Sequence, residues 1–213
     1  RGIVLTGSTN PTSNGGNKNN NNLVIIDSDY ISKNYEDEFY ELWNGIYSGG
    51  NNVKYGKINT PIGQIENYFC PEDCGLESGG VYRIIELIRN AENSVKIASF
   101  SFTHEGLADE LLKADIKGID VSVLMERRQR NVQNSQYARL RDFGLNIRVD
   151  GNKNNMHNKF IVIDNKILIT GSPNFTSSGF NRNDENMLII FNEELALGFV
   201  REFDRLFEEG ETI

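Results

Sequence analysis

The chain has 213 residues, 38% hydrophobic and 24% charged, enough to bury one substantial core and to make one domain with part of another. Its formal charge of −8 and pI of 4.9 exclude bulk electrostatic attraction for nucleic acid or anionic lipid, so a polyanionic partner needs a local basic site. No apolar run approaches the roughly 20 residues of a membrane-spanning helix.

Taken in order, residues 23–27 read as a buried apolar strand. Residues 31–44 read as a helix, with Tyr35, Phe39, Leu42 and Trp43 at core spacing. Residues 46–65, rich in Gly and Asn, read as a connection. Cys70 and Cys74 follow in Phe-Cys-Pro-Glu-Asp-Cys-Gly. They admit a disulfide, two free thiols or a share in a metal site, although two thiols fall short of the four ligands of structural zinc.

A helix is expected over 80–91 and a strand over 94–102, with Phe100 and Phe102 on its core face. His104 then reads as a surface histidine near the start of a helix over 105–115. A strand at 119–124 leads to Glu126-Arg127-Arg128-Gln129-Arg130, the one obvious basic run. Its plain reading is a solvated loop or helix start. A helix over 133–143, a short strand at 146–149, and a hairpin of 158–163 with 167–170 come next. Asn165-Lys166 is its expected turn. A strand at 186–191 and a helix at 193–209 close the chain. This alternation predicts an α/β layered domain, a mixed β-sheet flanked by helices on both faces.

Sliding the sequence against itself exposes a repeat at an offset of 164 residues. Residues 1–45 match 165–209 at 16 positions without a gap. Ile3 to Asn10 lie over Ile167 to Asn174, and Asn22 to Ile26 over Asn186 to Ile190. Residues 1–45 therefore read as the tail of a first repeat, 46–65 as a connection and 66–213 as a complete second repeat. A further upstream segment is expected, and Asp164 falls on the position just before Arg1.

The chemistry concentrates between Met156 and Glu185. His157 and Lys159, two apart on a strand, project to one face and set a nucleophile or acid beside a fixed positive charge. The hairpin brings Ser172 and Asn174 back toward that edge, where hydroxyl and amide can donate to phosphate oxygens. The N–H groups after Gly171 read as a helix start that welcomes anions. A phosphodiester needs its charge neutralised, an aligned nucleophile and a proton for the leaving oxygen. All these residue types are present without a set of metal ligands, and no cofactor is expected.

This spacing, H-x-K-x4-D-x6-G-S-x-N, resembles the signature of the phospholipase D superfamily. Six fixed positions make a chance match on the order of one in 10⁵. Glu185, in Asn183-Asp184-Glu185-Asn186, resembles the glutamate that follows the motif in small nuclease-like members. The resemblance implies the second lobe of a pseudo-twofold bilobal enzyme, in which two motifs meet and one histidine attacks phosphorus while the other protonates the leaving group. It places His157, Lys159, Asp164 and Glu185 in the catalytic group. His157 is nucleophile or general acid, the former preferred. Glu185 orients His157, and Asp164 supports the local structure or the lysine. Lys159, Ser172 and Asn174, with Ser8 and Asn10 from the first copy, hold phosphoryl oxygens. Asn21 stands where the second copy has Glu185, so the halves are not equivalent. The implied activity is a metal-independent phosphodiesterase with a phosphohistidine intermediate, acting on nucleic acid in preference to phospholipid. A phospholipase or phosphatidyltransferase and a non-catalytic nucleic-acid-binding module are the alternatives. An upstream repeat or a second subunit would complete the site.

Overall fold

The computed structural model describes residues 1–75 and 79–213. A two-stranded sheet is formed by β1 (Ile3–Gly7) and β2 (Leu23–Asp27), with α1 (Ser13–Asn17) between them and α2 (Asp29–Trp43) after them. The remaining strands are β3 (Lys57–Thr60), β4 (Gly63–Cys70), β5 (Ser94–Ser99), β6 (Asp120–Met125), β7 (Asn146–Val149), β8 (Lys159–Ile163), β9 (Ile167–Gly171) and β10 (Glu185–Phe191). They form one sheet in the order β3-β4-β10-β9-β8-β5-β6-β7. The β5–β6 and β6–β7 pairs are parallel. Parallel neighbours need a crossover, supplied here by α4 (Glu105–Ile116) and α5 (Tyr137–Asp142). The other strand pairs of the large sheet are antiparallel.

Both faces of the large sheet are covered, which explains why its central strands read as continuous apolar runs. On β8, Ile161 and Ile163 join a core with α3 (Gly80–Arg89), α4, α5 and α6 (Ser177–Asn181). Phe160 and Val162 point the other way, into a core shared with α7 (Glu193–Glu209) and with Val4, Val24, Ile26 and Ile31. The first 45 residues are thus packed on the second face of the sheet. Among the described residues, no helix is long and apolar enough to cross a membrane.

Several expectations are corrected. Residues 57–65 are not connection: they supply β3 and the start of β4, paired to β10 through register pairs such as Ile65 with Ile190. Short strands containing Asn and Gly carry little local signal and are held by their neighbours. Phe39 and Trp43 stack on each other yet remain 54% and 75% exposed, because helical spacing does not say what covers a face. The helix expected over 133–143 is confined to Tyr137–Asp142. The left-handed residues of the β8–β9 turn are Asp164 and Asn165, one position earlier than expected. Cys70 and Cys74 are joined in a disulfide.

Glu38 on α2 is pushed up to about 7 by burial and by the neighbouring charges of Glu72, Glu41, Asp184 and Asp73. Folded chains therefore hold its proton between about pH 4.5 and 7, where unfolded chains have lost it, so stability falls as pH rises through that window. Glu38→Gln is expected to stabilise the chain by about 1 kcal/mol at pH 8, allowing for solvent screening. It should be neutral at pH 4.5. Urea titrations of both chains at the two pH values measure this.

Candidate active site

A cavity of about 450 Å³ brings together His157, Lys159, Ser172, Asn174, Glu185, Ser8 and Asn10. Seven of the eight residues expected from sequence therefore line one space. The exception is Asp164, at the far end of β8. Five residues of strand separate it from Lys159, roughly 16 Å at ~3.3 Å per residue. Its carboxylate instead accepts the backbone N–H groups of Glu92, Asn93 and Ser94 at 3.0, 2.7 and 3.0 Å. Of the two supporting roles expected for it, the structural one fits this geometry.

His157 is held from across the molecule. Its Nδ1 lies 2.8 Å from the carbonyl oxygen of Ser8. A carbonyl only accepts, so Nδ1 carries the proton and Nε2 presents a lone pair. Glu185 was expected to take this orienting role. Ser8 takes it because β1 and β2 pack over the mouth of β8. Burial, and then the charge of Lys159, hold the His157 pKa below its ordinary value. The ring is thus neutral at pH 7, with Nε2 free to act as nucleophile or base.

Lys159 is 4% exposed, with Nζ 3.1 Å from His157 Nε2 and 3.1 Å from His157 O. Its ammonium also lies over the Phe100 ring, 5.1 Å from the centroid. Burial depresses it to about 8, opposed by the charge of Glu185. Phe100 was expected in the core. The strand ends at Ser99, alternation lapses, and the half-buried ring packs against His157 at 4.8 Å.

The Ser172 hydroxyl accepts from Asn186 N (3.0 Å) and Asn186 Nδ2 (3.3 Å), and it faces the same cavity as the Glu185 carboxylate, whose pKa it lowers. Burial raises the Glu185 pKa against these contacts. Ser8 accepts from Asn22 in the same manner, at 3.0 and 3.2 Å. Asn21, at the place matching Glu185, turns away to Gly15 O and Thr9. Ser172 thus has a carboxylate near it where Ser8 has none at the matching place. Ser172 N–H donates to Asn186 O, and the next helix starts only at Ser177, so no helix start follows Gly171. Gly171 is needed because a Cβ there would meet Asn186 O at 2.1 Å.

Two reciprocal hydrogen bonds were not anticipated from sequence. Thr170 Oγ1 donates to Asn22 Oδ1 at 2.9 Å, and Thr6 Oγ1 donates to Asn186 Oδ1. The donors are 164 residues apart and so are the acceptors, a symmetry the offset could have exposed. Asn22 also donates to Asn158 Oδ1 at 3.1 Å, tying Ser8, β8 and β9 together. Thr170→Val keeps the shape but leaves the half-buried Asn22 Oδ1 without its donor, an expected loss of about 1 kcal/mol. Thr170→Ser should recover most of it, and denaturant midpoints of the two variants separate hydrogen bond from packing.

Of the basic run, Arg127 is bound to Glu211 at 3.2 Å and to Asp150 O. Arg128 is exposed, and its guanidinium donates to Asn155 Oδ1 and Lys153 O at 2.8 and 2.9 Å. Asn155 O accepts from Asn20 N, and Asn20 O accepts from His157 N. One arginine is thus joined to the His157 backbone through one side-chain and two backbone hydrogen bonds. His104 is half-buried rather than on the surface. It caps α4, its Nδ1 accepting from Leu107 N, and it does not line the cavity.

Residues 84–207, more than half of the chain, match the family described as cardiolipin synthase, PLD-like domain. The chain belongs to the phospholipase D superfamily. The mitochondrial cardiolipin hydrolase of Canis lupus familiaris is 33% identical over 138 residues, 64% of this phospholipase D-like chain and 54% of that protein. The chain spans little more than half the length of the curated relatives it matches. Among solved structures, the phospholipase D family member Nuc from Salmonella typhimurium is 26% identical, with a TM-score of 0.61 over 69% of this chain and 95% of Nuc. Phosphatidylserine synthase from Haemophilus influenzae covers 99% of this chain and 60% of its own, with a TM-score of 0.71. At 10% identity that likeness is one of fold alone, and it takes in residues 1–45.

Proposed function

We propose that this phospholipase D-like chain carries one half of a metal-independent phosphodiesterase with His157 as nucleophile, acting on nucleic acid. The observation that carries the assignment is the Ser8 carbonyl on His157 Nδ1, which leaves Nε2 unprotonated beside a buried ammonium. A phosphoryl oxygen drawn to Lys159 would release Nε2 from that ammonium. The Nε2 lone pair then attacks phosphorus, and the P–O bond to the leaving group breaks as a phosphohistidine forms. A second acid protonates the departing oxygen, and water attacks the phosphohistidine to restore the imidazole. Lys159, Asn174 and the Ser8 hydroxyl neutralise and orient the phosphoryl group.

That second acid belongs to an upstream half-repeat, of which residues 1–45 are the tail. The matching hydrogen bonds at Ser8 and Ser172, and at Thr6 and Thr170, support this reading. The exposed Arg128, tied by hydrogen bonds to the segment that leads into His157, favours nucleic acid. A lipid substrate is the second reading. It is favoured by the cardiolipin hydrolase relatives and by Leu5 and Leu23, exposed at the cavity rim.

The test is cleavage of end-labelled single-stranded DNA in excess EDTA by the polypeptide extended upstream, beside its His157→Ala variant. Cleavage that survives EDTA and falls at least ~10³-fold in the variant is expected. If the extended protein leaves DNA intact but hydrolyses cardiolipin in vesicles, the lipid reading replaces this one.

A further inference from the structure

A cleft of about 1000 Å³, more than twice the volume of the His157 cavity, lies apart from that site. It runs along β2, with α7 as its other wall, and Val24, Ile26, Phe160, Leu195 and Phe199 give it an apolar lining. Among the described residues β2 pairs only with β1, so its other edge carries backbone donors and acceptors without a strand partner there. Seven successive residues, from Asn21 to Asp27, line the cleft, as an open strand edge would.

The other half of the molecule shows what such a cleft holds. β10, the counterpart of β2 at the 164-residue offset, is paired on both sides, to β9 and to β4. There β4 lies between β10 and α2. Asn34 Nδ2 donates to Asn67 Oδ1 at 3.0 Å, Tyr35 meets Phe69 edge-on at 5.0 Å, and Ile31 shares a core with Ile65. Adding 164 to Ile31, Asn34 and Tyr35 gives Leu195, Gly198 and Phe199, all of which line the cleft. The cleft therefore stands to β2 and α7 as the bed of β4 stands to β10 and α2.

Resting on the reading of residues 1–45 as the tail of a half-repeat, we infer that the cleft takes one extended strand of the preceding half-repeat, antiparallel to β2. Its chemistry follows from the register of β4, where Ile190, Leu188 and Asn186 face Ile65, Asn67 and Phe69. The incoming strand presents an aliphatic residue opposite Ile26 and an aromatic one opposite Asn22. Opposite Val24 it carries a side chain larger than Asn, because Gly198 leaves open the room that Asn34 fills in the other half. An acyl chain would fill the volume but leave the edge N–H and C=O groups of β2 unpaired, which a strand satisfies.

The inference is tested by tethering the β3–β4 segment, residues 57–70 with Cys70→Ser, to Arg1 through a ~12-residue Gly/Ser linker. The strand runs parallel to β1, so the linker must return about 26 Å along the sheet and cross about 10 Å of it, within the ~40 Å reach of 12 residues and at an effective concentration on the order of millimolar. Hydrogen exchange at residues 23–27 is expected to slow at least ~10-fold against the untethered chain. Gly198→Lys, which fills the cleft from a half-buried position where a Cβ meets only Arg201 at 3.8 Å, should restore fast exchange without altering the untethered chain. Unchanged exchange in the tethered chain overturns the inference, as does slowing that persists with Gly198→Lys. No substrate enters this measurement. An inactive enzyme leaves a slowed β2 standing, and an active enzyme with a fast β2 sinks the strand alone.

Discussion

Lys159→Met is expected to make the chain more stable by about 2 kcal/mol at pH 7 while abolishing its binding of inorganic phosphate. The Lys159 ammonium is buried among His157 and the Phe100 ring, which lowers its pKa from 10.5 to about 8. Between those values the unfolded chain binds the proton and the folded chain does not, so stability climbs as pH rises from about 8 to 10.5. Below pH 8 the full cost is present, about 3 kcal/mol at ~1.4 kcal/mol per unit. Methionine keeps the apolar stem, and loss of the contacts to His157 removes about 1 kcal/mol of that gain. Urea denaturation should show the advantage at pH 7 and its disappearance by pH 10.5. Calorimetry on the parent should show phosphate affinity weakening as pH passes about 8, where the lysine loses its charge. A variant no more stable than its parent at pH 7 would mean that the free site already compensates the ammonium.

Asp164→Ala is expected to cost about 3 kcal/mol and leave phosphate binding unchanged, the reverse of the lysine variant. Three backbone N–H groups converge on the Asp164 carboxylate, joining the β8–β9 turn to the segment before β5. Burial alone would raise its pKa, but the bonds from Ser94, Glu92 and Asn93 prevail and hold it below 3.8. A depressed carboxylate contributes fully above the unfolded value and is lost as pH falls through the folded one, so in strong acid the deficit should shrink to the backbone strain alone. Alanine adds strain of about 1 kcal/mol, because residue 164 has φ of 53°. Asp164→Asn tolerates that conformation and accepts a hydrogen bond, so it should lose only about half as much. Loss of phosphate binding in a well-folded Asp164→Asn chain would return this residue to the site.

The sequence made the cavity legible to the extent that strand geometry governs it. His157 and Lys159 share a face because two residues separate them, and the hairpin returns Ser172 and Asn174 beside them. Asp164 entered the catalytic group through its place in the motif. The length of β8 alone carries it out of reach. Phe100 was misplaced because alternation was extended past the end of β5 at Ser99. The partner of His157 could not be read, since Ser8 lies 149 residues away and contributes a carbonyl that every residue possesses. The exposure of Trp43 follows a similar logic. Its counterpart Phe207 packs on Phe203, a residue 1% exposed in the core, but periodicity is the same whether a face is covered or bare.

The seam in which Thr6 reaches Asn186 and Thr170 reaches Asn22 spans 180 and 148 residues of chain. At translation rates of about 5–20 residues per second, β1, β2 and α2 wait roughly 10–30 seconds for the strands they rest on. Through that interval Val4, Val24, Ile26 and Ile31 lack the shelter that β8–β10 provide. These residues therefore complete their structure only as the last third of the sequence leaves the ribosome, and β1 and β2 stay open to a nascent-chain chaperone until then.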